Sequence, residues 1–234
     1  MLWRALQHTK NGYYVDIGAQ DPVIDSVSCA FYEKKWRGLH VELTAQYAEL
    51  LRQQRLGDTV IQTAVGDSSK KIKFFQSSGT GISIADKFIA DQHRSRGFVT
   101  EEIIVPYITL SEIFEISNQS EIHWLKVDVE GFEEKVLSGW GASTLRPWIV
   151  VIESTMLLIQ IETHEKWEHL LFSRGYSQIY FDGLNRYYLS NNHAELEHYF
   201  RSPPNVFDSF TLNGTASNTF HNLIKARQEK KSMN

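Results

Sequence analysis

Three acidic stretches hold the residues whose types and spacing suit chemistry. The first is Tyr13-Tyr14-Val15-Asp16-Ile17-Gly18-Ala19-Gln20-Asp21-Pro22. Its aromatic and β-branched run, broken by one acid, suits a strand. Gly18-Ala19 then permits a tight turn, and Asp21-Pro22 holds off the next helix. A helical period begins at Ser26, with Val27, Ala30 and Phe31 on one face. Strand, small-residue turn and helix make the first half of a nucleotide-type βαβ unit, whose ligand sits where strand gives way to helix. A dinucleotide site wants G-x-G-x-x-G here, so that backbone can approach a pyrophosphate. This turn has one glycine, and Asp16 and Asp21 repel an anion and favour a cation. S-adenosylmethionine, with a sulfonium, an ammonium and no phosphate, has the matching charge. The same residues also make a plain strand-end turn with a capping acid and no ligand.

The second stretch, Leu39-His40-Val41-Glu42-Leu43, reads as a strand ending on an acid. Glu42 lies about 25 residues beyond Asp16, near the spacing at which a βαβ unit sets a carboxylate on a ribose. The third is Ile122-His123-Trp124-Leu125-Lys126-Val127-Asp128-Val129-Glu130-Gly131. It reads as a buried parallel strand with Lys126 and Asp128 on one face by period-2 alternation. A buried lysine is costly unless paired, and Asp128 is the natural partner. That pair is either structural or a device that tunes Asp128. Residues 148–152 form another strand ending on Glu153. Asp128 and Glu153 then end adjacent strands at the carboxyl edge of the sheet, where open α/β folds bind ligands. Two oxygen ligands there would suit magnesium. Strand-end capping is the plainer reading of Asp128, and a helix N-terminus that of Glu130.

The elements that must position these residues follow a regular order. Thr44 caps a helix containing Tyr47, Leu50 and Leu51. Residues 59–66 read as one strand and turn ending near Ala64, and residues 72–75 as a short extra strand. Residues 76–105 read as an insertion, with a candidate helix over 82–93. Thr109 caps a helix over 110–116. Residues 162–173 form an amphipathic helix with His164 at its start. Residues 176–181 and 186–189 pair as a hairpin through Asp182-Gly183-Leu184-Asn185. A short helix follows over 194–200, and Pro203-Pro204-Asn205 ends regular structure. The tail from Asn213 is polar, with one candidate helix over 220–227. Trp124, Trp148 and Trp167 read as packing residues. The order predicts an α/β fold: a doubly wound, mostly parallel, seven-stranded sheet whose last strand is antiparallel. It spans one domain over 1–212, with the tail at 213–234. Nicotinamide folds seldom close on such a hairpin, whereas class I methyltransferases do.

Composition agrees with one full core. The chain has 234 residues, 42% hydrophobic and 22% charged, and a formal net charge of −4. That charge argues against a general nucleic-acid binder. A lone Cys29 excludes an internal disulfide framework and suits a reducing compartment. No secretory leader opens the sequence, and no apolar run approaches the ~20 residues of a membrane span. A cytoplasmic enzyme without stable membrane insertion is expected.

Several stretches together resemble FkbM-type S-adenosylmethionine-dependent O-methyltransferases. They are Val15-Asp16-Ile17-Gly18-Ala19, Trp36-Arg37-Gly38-Leu39-His40-Val41-Glu42, Leu125-Lys126-Val127-Asp128-Val129-Glu130-Gly131-Phe132-Glu133 and Val151-Ile152-Glu153. Phe181-Asp182-Gly183-Leu184-Asn185-Arg186-Tyr187-Tyr188 and Pro203-Pro204-Asn205-Val206-Phe207-Asp208 resemble the branch found with bacterial surface-polysaccharide genes. Gln20 stands where that family usually has Asn, and Leu43 where it usually has Pro. The resemblance implies a class I, Rossmann-like methyltransferase. It implies that Asp16, Gly18, Gln20 and Ser26 hold the methionine end of the cofactor. Glu42 would take the ribose, residues near Ala64 would flank the adenine, and Asp128 would also bind the cofactor. The acceptor would be a hydroxyl of a sugar, glycan or glycolipid precursor in surface-polysaccharide synthesis. A homodimer is compatible with this picture.

Methyl transfer to a hydroxyl needs a group that takes the proton. Asp128, Glu130 and His164 are the candidates, and a divalent ion on Asp128 and Glu153 is the other route. His164 also suits plain polar surface. Asn185 and Arg186 are either simple hairpin residues or contacts to a sugar or phosphate. Two rivals stand beside this expectation. One is a binding module that keeps the fold without the chemistry; the other is a nicotinamide oxidoreductase.

Overall fold

The computed structural model describes residues 1–68, 70–77, 83–84, 100–156 and 161–208. A short helix α1 (Leu2–Leu6) precedes β1 (Tyr13–Ile17), α2 (Val27–Glu33), β2 (Arg37–Glu42), α3 (Ala45–Gln54) and β3 (Thr59–Gln62). A second group of strands follows: β4 (Ala64–Gly66), β5 (Lys70–Ser77), β6 (Ser83–Ile84) and β7 (Thr100–Thr109). The chain then runs α4 (Leu110–Ser117), β8 (Trp124–Val127), α5 (Glu133–Ser138), β9 (Ile149–Glu153), α6 (Glu168–Phe172), β10 (Tyr176–Phe181) and β11 (Asn185–Ser190).

The main sheet has seven strands in the order β10-β11-β9-β8-β1-β2-β3. β1, β2, β3, β8 and β9 are parallel, and β11 inserts antiparallel between β9 and β10. This is the expected doubly wound sheet with an antiparallel last strand. Strand order reverses between β1 and β8, which makes their carboxyl ends the crevice of the fold.

The central strands are buried on both faces, which is why they read as near-continuous apolar runs. Val15, Ile17, Leu39, Val41, Leu125 and Val127 face one core with α4 and α5. Tyr14, Trp124, Ile149, Val151 and Leu189 face the other, with α1 and Phe31 of α2. Tyr14 stacks on Trp124 at 4.7 Å between ring centroids, a contact worth about 1 kcal/mol beyond its buried area. Trp124 and Trp167 are fully buried, as packing residues should be.

Five local readings change. Residues 59–66 are two strands, because the chain leaves the main sheet at Thr63 and enters a four-stranded sheet of order β4-β7-β5-β6. Thr63 fixes that crossing by donating its hydroxyl to the Pro106 carbonyl at 2.8 Å. The short strand expected at 72–75 is the eight-residue β5, paired antiparallel with the ten-residue β7. Ser83–Ile84 pairs with β5 as a strand, where a helix was expected over 82–93; the rest of that helix lies outside the described residues. The tail from Asn213 and the helix over 220–227 lie outside them too. The single helix expected over 162–173 is a 3-10 turn, His164–Lys166, followed by α6. The short helix over 194–200 falls within a kinked 3-10 segment, Asn191–Phe200. Thr109 caps α4 through a full capping box with Glu112, as its position predicts. No helix among the described residues is long and apolar enough to cross a membrane.

Candidate active site

A cleft of about 980 Å³, part of it open to solvent, lies over the carboxyl ends of β1, β2, β8 and β9. Its walls come from the turn after β1, the end of β2, the crossing at residues 63–65 and the loop after β8.

The turn after β1 is held by backbone contacts. Gly18 N–H donates to the Val41 carbonyl at 2.9 Å, and Asp128 N–H donates to the Ile17 carbonyl at 3.0 Å. Gly18 has φ +77, and a Cβ there would lie 1.8 Å from the Asp128 carbonyl oxygen. Glycine is thus required by the packing of two strand ends against each other, before any ligand is considered.

Glu42 lines the same half of the cleft and is 4% exposed. Its Oε1 accepts from the Thr44 amide and hydroxyl, each at 2.8 Å, and its Oε2 accepts from the Gln20 amide at 2.9 Å. Burial pushes this carboxyl above its usual range, while these hydrogen bonds pull the other way. Oε2 keeps an acceptor position for a hydroxyl. Thr44 thus occupies the N-cap of α3, yet its hydroxyl serves Glu42 rather than the helix. Gln20 holds φ +53, a strained value for a non-glycine residue, so that its amide faces Glu42. Ala64, Thr63, Val65, Leu43 and Phe132 supply a mostly apolar wall at the far end.

The other half of the cleft is acidic. Asp128, Glu130 and Glu153 each place a carboxylate oxygen within 4.8 Å of the others. Period-2 alternation on adjacent parallel strands produces this: β8 pairs with β9 in register, so Lys126, Asp128 and Glu153 share one face. Lys126 Nζ sits 2.8 Å from Asp128 Oδ2 and 4.0 Å from Asp16 Oδ1. Burial opposes its charge, but Asp128 and Asp16 outweigh burial and push the ammonium up to about 12. Burial would raise Asp128, but the adjoining Lys126 holds it below the usual carboxylate range. Glu153 is pushed up to about 10, by burial first and then by the Asp128 charge, so it carries a proton within reach of Asp128. Glu130 is pushed up to about 8 by burial and by Asp128 and Glu133. Its Oε2 is buried with no hydrogen-bond partner, and its backbone holds φ +53. A buried unpaired carboxyl on a strained backbone costs stability, and such costs cluster at functional positions.

Three carboxylates are the right donors for a hard divalent ion. Here the cation's place beside Asp128 is taken by Lys126, whose Nζ lies 2.8 Å from Oδ2. A resident magnesium would have to displace that ammonium, so these residues do not fit one.

Other expected residues fall elsewhere. Asp16 is 1% exposed and does not line the cleft; it faces Lys126, and His40 Nδ1 at 3.9 Å. It bears on the cleft through Lys126. Ser26 is the N-cap residue of α2, its hydroxyl 3.2 Å from that of Ser28, and it too lies off the cleft. His164 lies beside Glu162, with 3.2 Å between Nδ1 and Oε2, away from the cleft lining. Arg186 pairs with Glu162 and lies over the Phe181 ring at 4.9 Å. Asn185 stands in register with Glu153, which brings it to the carboxyl edge.

The sequence motif ends on Glu133 but gives it no role. That residue is 3% exposed, and its Oε1 accepts from the Gly131 amide at 3.1 Å, so its carboxyl braces the loop carrying Asp128 and Glu130. Burial pushes it up to about 7. Its place at the start of α5 was legible; its burial was not.

A search of curated proteins finds no match to this chain. The family model of the methyltransferase FkbM domain matches residues 16–177, well over half of the chain, and takes in every wall of the cleft. The chain therefore belongs to the FkbM methyltransferase family.

Proposed function

We propose that this protein is a cytoplasmic S-adenosylmethionine-dependent O-methyltransferase acting on a hydroxyl of a sugar, glycan or glycolipid precursor. The observation that carries the reading is the division of one cleft into two halves. One half has a fixed Glu42 carboxylate with an open acceptor position beside an apolar wall, which suits a ribose and an adenine. The other has a carboxyl group, Glu130, with an unpaired buried oxygen. The acidic cluster also suits a ligand that brings positive charge and no phosphate, which speaks against a nicotinamide dinucleotide.

When bound, the cofactor supplies a methyl group on a sulfonium. The chain's own residues do the rest. Gly18 and Gln20 shape the turn, and Glu42 orients the ribose. Lys126 keeps Asp128 ionised, so Asp128 opposes a charge on Glu130 and keeps that carboxyl basic. Glu130, whose Oε2 has no partner, would take the proton from the acceptor's hydroxyl. A carboxyl poised near neutral pH is suited to that task.

Calorimetry with S-adenosylhomocysteine tests the reading. Binding is expected, with Glu42→Ala weakening it at least about tenfold, the value of one lost charged hydrogen bond. Tight binding of NAD instead, or no effect of Glu42→Ala, would overturn it.

A further inference from the structure

A second cavity, about 400 Å³ including space open to solvent, is lined by Thr155, Glu162, Phe181 and Gly183. It neighbours the cleft along the chain, since Glu153 lines one and Thr155 the other. Two extended residues separate them by about 7 Å. The Ser154 amide donates to the Leu184 carbonyl at 2.9 Å, so the hairpin turn is fixed to this same segment. Both cavities therefore open at the carboxyl edge of the sheet.

The chemistry of the second cavity is specific. Arg186 is a planar donor, but Glu162 engages its Nη2, and Glu168 lies 4.0 Å from its Nη1. Two carboxylates against one guanidinium leave no surplus positive charge, which disfavours a phosphate or a uronate. Glu162, which lines the cavity, uses only Oε2 among the described residues and keeps Oε1 as an acceptor for a hydroxyl. Phe181 adds an aromatic ring and Thr155 a hydroxyl. At Gly183 a side chain would meet nothing within 4 Å, so the turn leaves open space. An aromatic ring beside a hydroxyl and a free carboxylate oxygen suits a sugar ring, its C–H face on one side and its hydroxyls on the other.

We propose that this cavity is an acceptor subsite for an uncharged sugar ring, one residue along a glycan from the ring that is methylated. The proposal rests on the reading above that the acceptor is a sugar hydroxyl, and it adds that the acceptor is at least a disaccharide with a neutral unit next to the reacting one.

Saturation-transfer NMR on the full chain tests it, with methyl glucoside, methyl galactoside and methyl mannoside as neutral probes and glucuronate and glucose 6-phosphate as charged ones. At least one neutral hexoside should receive saturation, more strongly than either charged probe. Phe181→Ala and Glu162→Gln should each reduce it by about fivefold, the effect of losing one modest contact. Glu162→Gln sits on an exposed side chain and keeps the shape of the residue, so it reports even where Phe181→Ala fails to fold. S-adenosylhomocysteine affinity should stay within about twofold in Glu162→Gln. No transfer from any neutral hexoside, stronger transfer from a charged probe, or undiminished transfer in the folded variants would overturn the subsite. Loss of S-adenosylhomocysteine binding by the wild-type chain would instead strike the methyltransferase reading, so the two failures are distinct.

Discussion

Replacing Glu130 by Gln should make the protein more stable and nearly inactive, and the gain should depend on pH. In the fold its carboxyl is pushed up from 4.5 to about 8, first by burial and then by Asp128. A group whose folded value is raised holds its proton more tightly folded than unfolded. Its contribution to stability is therefore full below about pH 4.5 and falls as pH rises toward 8. Between pH 5 and 8 the loss has an upper limit of about 4 kcal/mol, at 1.36 kcal/mol per pH unit. Access of solvent to the cleft brings this to roughly 2 kcal/mol. Gln keeps the shape and the φ +53 backbone but cannot ionise, so strain cancels in the comparison. Urea unfolding of both proteins at pH 5, 6, 7 and 8 should give curves that diverge with pH, the variant ahead by about 2 kcal/mol at pH 8. Turnover should fall by about 10²–10⁴, the usual worth of a positioned base. Wild-type kcat/KM should rise with pH toward about 8. Parallel unfolding curves, or a variant with wild-type turnover, would refute the assignment.

Gly18→Ala should destabilise the fold by about 3–5 kcal/mol, because φ +77 and a backbone oxygen 1.8 Å from the new Cβ force the ends of β1 and β8 apart; a variant that loses only ligand affinity and keeps its urea midpoint would show that the glycine serves the ligand alone. Lys126→Met should cost about 3–5 kcal/mol, since it leaves Asp128 and Asp16 facing each other without a cation; because Lys126 fills the cation's place, wild-type turnover should persist in excess chelator, and a chelated enzyme restored by magnesium would contradict that view.

Much of the site was legible because it depends on local period. Alternation put Lys126 and Asp128 on one face, and adjacency of parallel strands brought Glu153 beside them. Spacing placed Glu42 at the cleft. The position of Gly18 was legible, but its physical cause was not, since the obstacle is the Asp128 backbone more than 100 residues away in the chain. Long-range pairing explains the remaining misses. Residues 59–66 look like one strand because nothing local marks Thr63, whose partner is Pro106. The β5–β7 ladder joins segments on either side of the stretch that reads as an insertion. Arg186 looked free for a ligand because its partner Glu162 lies across a loop.

The electrostatics of the cleft tie these residues into one argument. Asp16, Asp128, Glu130, Glu133 and Glu153 converge on the ends of β1, β8 and β9, and Lys126 is the one cation the cluster holds among the described residues. Protons on Glu130 and Glu153 supply the rest of the compensation. A cationic ligand in the same cleft would do the work of those protons, and linkage requires the reverse as well: whatever lowers proton affinity at Glu130 favours that ligand. The arriving positive charge therefore shifts Glu130 toward the form that accepts a proton. On this reading the acid-rich loop is tolerated, despite the strain at Glu130 and the burial of Glu133, because it makes the base available when the methyl donor is in place. The Glu130→Gln substitution would leave the same loop more stable and without that coupling, which is the sense in which the loop's instability is functional.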